Sequence, residues 1–276
     1  MLNITVCILS LNRKEYLAEA IESVCKQSVT ADRIVILDNG SSPELEEFIV
    51  KEYKDKVIFR SSKNTFSFVW NWNRAMEYAD SKSVYVMHDD DRLLPNFLKQ
   101  QIKVLDDYDN ILAIACNGYR INEKGKRLGH TLHYSNRRAS IEIFNKSEDF
   151  IRLYISGSYI AFPTVVYRMP YPALIPLYPV EKVGQCGDVM FLSDLCLKGP
   201  IAYNNEILFE YRMHHRQDSN FIRKESIDAL DNYYLNISKD NKKLYNDVIK
   251  YIKYRKLRNA KGMLKKKLLD IYLKFK

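Results

Sequence analysis

The sequence predicts an α/β domain built on a mostly parallel central sheet flanked by helices, and three observations predict it. Short apolar runs alternate with helix-period segments as far as Cys116. Three of those runs end in polar turns, at Ser10–Arg13, Asp38–Ser42 and His88–Arg92. Right-handed crossovers bring the ends of parallel strands to one edge of the sheet, where ligands of open α/β folds bind, so the three turns should converge.

The elements follow in order. Ile4–Leu9 reads as a buried strand, and Leu17, Ile21, Val24 and Cys25 give the segment Tyr16–Gln27 a helical spacing. Ile34–Leu37 is a second strand, Pro43–Glu52 a polar helix and Val57–Arg60 a third strand. Helix Ser67–Ala79 leads into strand Val84–Met87, and helix Pro95–Leu105 precedes strand Ile111–Cys116. This βαβ alternation is the signature of a parallel sheet with helices on both faces.

Beyond Cys116 the pattern loosens. Glu123-Lys124-Gly125-Lys126 suggests a hairpin turn, Ser147–Ile155 a helix, and Ile160–Arg168 a strand that Pro163 would confine to an edge or a bulge. The proline-rich Tyr171–Pro179 reads as irregular. Gly187-Asp188 opens a helix that ends at Gly199-Pro200, and Ile207–Met213 is strand-like. From residue 226 the chain turns helical. We divide it into a body, 1–222, with halves 1–118 and 119–222, and a basic amphipathic tail, 223–276.

Composition narrows the class. A hydrophobic fraction of 46%, with 20 Tyr and 12 Phe, can fill a large core, and no apolar run has the roughly 20 residues that a membrane span needs. The cysteines are scattered with no C-x-x-C pair, which suits buried thiols in a reducing compartment. With no basic leader ahead of the first strand, a cytoplasmic chain is expected. Residues 239–276 carry 14 Lys/Arg against 3 Asp/Glu, whereas the rest carries 29 against 31. The body therefore lacks the charge of a nucleic-acid binder. The tail can pack as a helical hairpin with a solvated face, or lie on an anionic membrane.

Val84–Met87 runs straight into His88-Asp89-Asp90-Asp91. Adjacent carboxylates repel and raise one another's pKa, and a divalent cation removes that penalty. Hard cations such as Mg²⁺ and Mn²⁺ need only one or two protein carboxylates when substrate phosphates supply other oxygens. Taken alone, the run is better read as a solvated turn capping the next helix. Neither a G-x-G-x-x-G after the first strand nor a G-K-[ST] loop is present, so a dinucleotide dehydrogenase or P-loop kinase is not expected.

Four blocks, in order, resemble family 2 glycosyltransferases of the GT-A fold: V-C-I-L-S-L-N-R (Val6–Arg13), R-I-V-I-L-D-N-G-S-S (Arg33–Ser42), N-T-F-S-F-V-W-N-W-N-R-A (Asn64–Ala75) before M-H-D-D-D-R-L-L-P, and C-G-D-V-M-F-L-S-D-L (Cys186–Leu195) with Y-R-M-H-H (Tyr211–His215). The resemblance implies that Ser10, Asn12, Arg13, Asp38, Asn64 and Asn73 bind the donor nucleotide, with Leu11 where an aromatic is common. It puts His88 in the place of the first Asp of a D-x-D motif, Asp89 at a ribose contact and Asp90 at the metal, or Asp91 if the register slips by one. His214 would complete the metal site. Asp188 would be the catalytic base, preceded by Gly187 where the family has Glu.

So read, the chain is an inverting transferase using Mn²⁺ or Mg²⁺. Its donor would be a UDP-, dTDP- or GDP-linked sugar, and its acceptor a glycan or lipid-linked glycan of surface-polysaccharide type. A sugar-phosphate nucleotidyltransferase and a non-catalytic sheet module that binds a partner through the tail are the alternatives.

Overall fold

The computed structural model describes residues 3–132, 140–156, 158–178, 183, 186–215 and 224–274, with the backbone alone at 130, 131, 154 and 259–274. The first half alternates as expected: β1 Ile4–Ser10, α1 Lys14–Cys25, β2 Arg33–Asp38, α2 Pro43–Tyr53, β3 Ile58–Ser61, α3 Phe68–Tyr78 and β4 Ser83–His88. A two-residue strand, β5 (Arg92–Leu93), precedes α4 (Phe97–Asp107) and β6 (Ala113–Ile121). Then come β7 Arg127–Thr131, β8 Ile141–Phe144, α5 Ser147–Ile155, β9 Val166–Arg168, α6 Gly187–Lys198 and β10 Ile201–Arg212. Two helices close the chain, α7 Lys224–Ser238 and α8 Lys242–Lys274.

The strands form one ten-stranded sheet in the order β3-β2-β1-β4-β9-β6-β10-β5, with β7 on β6 and β8 on β10. β1 pairs in parallel with β2 and β4, β2 with β3, and β6 with β10. Register brings three strand ends together: Ser10 lies opposite Asp38, and Leu9 opposite His88.

One element corrects the expectation. The strand at 160–168 is neither an edge nor bulged; β9 lies between β4 and β6, antiparallel to both. Pro163 is accommodated because it sits in a 3₁₀ turn, Phe162–Thr164, ahead of the ladder, where its missing N–H costs nothing.

β1, β4 and the C-terminal part of β2 are buried on both sides, and their alternation feeds two cores. On β1, Cys7 and Leu9 join a cluster with Trp72 of α3 and Phe191 of α6, while Val6 and Ile8 join one with Leu17 of α1 and Phe97 of α4. Leu244, Val248 and Ile252 of α8 close the first cluster, together with Tyr234 of α7. Continuous apolar strands are what a two-faced parallel sheet demands. Among the described residues, no helix is long and apolar enough to cross a membrane.

Candidate active site

The three turns meet at the C-terminal ends of β1, β2 and β4, and their hydrogen bonds join them. The backbone N–H of Asn12 donates to Ser41 Oγ (2.8 Å), and Ser42 N–H donates back to Asn12 Oδ1 (3.2 Å). Asn12 reaches this position in the left-handed region, at φ +54°, which Asn tolerates better than most residues. Leu11 N–H donates to Asp89 Oδ2 (3.2 Å), and the guanidinium of Arg13 pairs with Asp89 (2.5 Å) and Asp90 (2.8 Å). Ser10 Oγ is buried at this junction without a hydrogen-bond partner.

Asp38 is committed to its own turn. Its carboxylate accepts from Gly40 N–H, Ser41 N–H, Ser41 Oγ and Ser61 Oγ. Three of these donors converge on Oδ2 and one reaches Oδ1, which keeps an acceptor position. Asp38 therefore shapes the turn mainly through Oδ2. Asn39, next along, clasps the backbone of Phe66 from both sides (Nδ2 to Phe66 O 2.9 Å, Phe66 N–H to Oδ1 3.0 Å). That clasp lays the exposed Asn64 over Gly40, whose φ is +85° and where a Cβ would stand 2.8 Å from the Asn64 carbonyl carbon.

Asn73 faces outward. It is exposed on α3, while Asn71 and Arg74 face the sheet. Asn71 Nδ2 donates to Leu37 O (3.0 Å), and Arg74 donates to Asp38 O (3.1 Å), Asn71 Oδ1 (3.0 Å) and Arg60 O (3.0 Å). Helical periodicity turns positions 71 and 74 inward and leaves 73 in solvent.

The acidic run lies at the focus. Asp89, Asp90 and Asp91 are all buried. One ligand atom each from His88, Asp90 and Asp91 lie within 4.8 Å of one another, close enough to share a metal ion. His88 thus offers the cluster a third candidate ligand atom. His214, expected as a ligand, bonds Asp90 Oδ2 through Nε2 (2.8 Å), the oxygen that Arg13 also contacts. Asp91 Oδ1 accepts from Arg212 N–H (2.9 Å), whereas Asp91 Oδ2 is buried with no hydrogen-bond partner.

The three carboxyls are tuned apart. Burial pushes Asp89 up to about 7, against the pull of Arg13. Burial and the neighbouring Asp90 charge raise Asp91 well above the usual carboxylate range. Burial works against ionised Asp90 too, but the His214 hydrogen bond and the Arg13 charge win and hold it below that range. A divalent cation fits this donor set. Asp91 Oδ2 is orphaned, two carboxylates and an imidazole converge, and the charge that burial penalises would be neutralised.

Arg212 was not singled out by sequence reasoning, and it organises the run. It is fully buried, with Nε donating to Asp90 O (2.7 Å), Nη1 to Glu123 O (2.9 Å) and Nη2 to Glu19 (2.5 Å), its guanidinium 4.4 Å over the Tyr16 ring.

Asp188 stands in the first turn of α6, half-buried, with Oδ1 accepting from Val189 N–H (2.7 Å). Burial raises its pKa to about 6, against those helix N–H groups. Phe191, one turn on, packs against Trp72 of α3 (centroids 5.1 Å), and Phe68 at the start of α3 meets His88 edge-on (5.7 Å). The helix that carries Asp188 thus packs on α3, and α3 in turn touches His88.

Residues 5–171 match the family model for glycosyl transferase family 2, more than half of the chain. The chain belongs to glycosyl transferase family 2. Among curated relatives of this family 2 chain, an uncharacterized glycosyltransferase of Methanocaldococcus jannaschii is 31% identical over 45% of this chain and 44% of its own length. The chain thus spans less than half of that relative. An uncharacterized glycosyltransferase of Rickettsia typhi is 22% identical over 99% of this chain and 80% of its own. Solved structures share the GT-A fold. S. aureus TarS 1-349 in complex with UDP-GlcNAc superposes with a TM-score of 0.66 at 15% identity, covering 86% of this chain and 66% of that one. The Pyrobaculum calidifontis mannosyltransferase PcManGT, with GDP-Man and Mn²⁺, does so with a TM-score of 0.61 at 12% identity, covering 91% and 69%.

Proposed function

We propose that this family 2 chain is a metal-dependent, inverting glycosyltransferase that moves a sugar from a nucleoside-diphosphate donor to a hydroxyl of a glycan or lipid-linked glycan. One observation carries the reading: ligand atoms of His88, Asp90 and Asp91 gathered within 4.8 Å at the C-terminal end of β4, in a chain of this family.

The residues divide the work. His88, Asp90 and Asp91 would hold Mn²⁺ or Mg²⁺, with His214 and Arg13 fixing the orientation of Asp90. The bound ion supplies neutralisation of the diphosphate's negative charge as the nucleotide leaves. Ser10, with an unpartnered buried hydroxyl, and the Asn12–Ser41 turn border the nucleoside, and Asn64 covers Gly40 from above. Asp38 serves this pocket from behind, by holding the turn. Asp89, paired with Arg13, faces the ribose end.

Asp188 takes the proton from the acceptor hydroxyl as that oxygen attacks the anomeric carbon from the face opposite the leaving diphosphate. A single displacement inverts the configuration. A carboxyl titrating at about 6 is well suited, since it is ionised at neutral pH yet basic enough to share a proton in the transition state. The enclosure that raises its pKa also limits water, which would otherwise compete as acceptor.

The acceptor class, a surface polysaccharide or its lipid-linked precursor, is the least constrained part of the proposal. A panel of UDP-, dTDP- and GDP-sugars is incubated with and without Mn²⁺, and nucleoside diphosphate release is followed. Metal-dependent release from one donor, with an inverted product anomer, is the expected result. Pyrophosphate release from sugar 1-phosphate and a nucleoside triphosphate would instead mark a nucleotidyltransferase. Thermal stability unmoved by any nucleotide, with or without Mn²⁺, would mark a binding module.

A further inference from the structure

The sequence of α8 spaces its apolar residues in two stripes, one in each half of the helix. Leu244, Val248 and Ile252 are buried against the body, and Arg255 is tied to Asp231 of α7 (2.5 Å). At 3.6 residues per turn these positions share one stripe. Tyr254 and Leu257 fall on the other side and are each 64% exposed. The sequence continues their spacing at Leu264, Leu268 and Ile271 while the helix runs on to Lys274. The body-facing stripe thus ends near residue 255, and a second one begins on the far side just before it.

Charge decides what covers this second stripe. In a heptad that places Tyr254 and Leu257 on the seam, the flanking positions include Lys253, Arg258, Lys265, Lys267 and Lys274, and none is acidic. A second copy of the helix would therefore set like charges against each other, where pairing helices need opposite ones. A helix with an apolar stripe between rows of Lys and Arg is instead the form that lies in the plane of an anionic lipid surface. We infer that α8 docks the protein on an anionic membrane through Tyr254, Leu257 and the stripe that continues them. The half that ends at Ile252 meanwhile fastens the helix to the transferase body. This surface is independent of which sugar is transferred.

The test uses the full chain and vesicles of phosphatidylcholine with and without phosphatidylglycerol. Co-sedimentation is expected with the anionic vesicles only, weakening as salt rises. Replacing Lys253, Lys256 and Arg258 together by Glu should weaken it roughly a hundredfold or more, at about 1 kcal/mol for each positive charge lost. Leu257→Ser, at an exposed position that leaves the fold intact, should weaken it several-fold and leave metal-dependent donor hydrolysis in solution unchanged. Four results would overturn the inference. They are equal binding to neutral vesicles, no binding to either, a concentration-dependent dimer that Leu257→Ser abolishes, and duplex DNA binding as tight as vesicle binding but indifferent to Leu257→Ser.

Discussion

Arg212 and Asp91, 121 residues apart in sequence, are joined by a hydrogen bond of 2.9 Å from the Arg212 backbone N–H to a buried carboxylate oxygen. The Arg212 side chain adds a 2.7 Å bond to the carbonyl of Asp90, so one residue at the end of β10 holds two members of the acidic run. Removing a partner from a buried charged network leaves the remainder uncompensated. Arg212→Ala should therefore cost about 3–5 kcal/mol of stability, read from chemical denaturation. Arg212→Lys keeps the charge but loses the planar fork, and should fold while binding Mn²⁺ about tenfold more weakly. Unchanged Mn²⁺ affinity in the Lys variant would show that Arg212 serves the fold alone.

Asp188 sets an acid limb. A base raised to about 6 by burial must be ionised to work, so kcat should fall tenfold per pH unit below about 6 and level off above it. The stability effect has the opposite sense. Because the folded pKa lies above the unfolded carboxylate value, this group's contribution is fully present at low pH and is lost as pH rises through about 6. Asp188→Asn should abolish turnover, keep nucleotide binding and melt no lower than wild type at pH 8. An Asn variant that turns over, or a pH profile flat from 5 to 8, would remove Asp188 from its role.

His88 should matter as a ligand. His88→Ala removes one of three converging ligand atoms and should weaken Mn²⁺ binding by at least about tenfold, measured by electron paramagnetic resonance of the free ion. His88→Asp keeps a ligand in place and should recover much of it. Equal affinity in all three proteins would leave the ion to Asp90 and Asp91.

Chelation and reloading should move the melting temperature. Saturation with Mn²⁺ at about 100 times its dissociation constant adds about 2.7 kcal/mol if only the folded protein binds it. Asp91→Asn lacks the orphaned carboxylate oxygen and should show little of that gain when Mn²⁺ is added. A normal Mn²⁺-induced rise in Asp91→Asn would contradict the assignment of Asp91 as a ligand.

Gly40 is replaceable only at a cost. A Cβ there would lie 2.8 Å from the backbone of Asn64, at a φ of +85°. Gly40→Ala should lower stability by about 1–3 kcal/mol and raise the donor KM with kcat largely kept, because the turn is displaced while Asp188 is untouched. A donor KM equal to wild type would place the nucleotide away from this turn.

What sequence reasoning reached and what it missed have separate physical causes. The βαβ alternation and the meeting of three polar turns were legible because both follow from local periodicity and the handedness of crossovers. The acidic run was legible as a candidate metal site for a similar reason, since packed carboxylates at a strand end need a counter-charge. His88 gave no signal as a candidate ligand, since only the fold shows its ring meeting Asp90 and Asp91. Arg212 gave no signal, since an arginine ending an apolar strand resembles any other until the chain brings it back to Asp90. Asn71 and Arg74 were missed in favour of Asn73 because their inward direction depends on how α3 is rotated on the sheet. The part Asp38 plays in holding its turn shows only once Ser61 is brought beside it. The three-residue β9 carried too little pattern to be placed between β4 and β6.

That placement of β9 has a consequence for how the polypeptide is made. During synthesis β1–β4 leave the ribosome with the flank of β4 open, and the strand that covers it, Val166–Arg168, emerges nearly eighty residues later. In that interval the nascent protein exposes a row of unsatisfied backbone groups beside Tyr85, a template for wrong partners. A ribosome stalled just after Cys116 should therefore display a chain that chaperones hold and proteases cut. One stalled far enough beyond Arg168 for that strand to clear the exit tunnel should release the left half of the sheet from both.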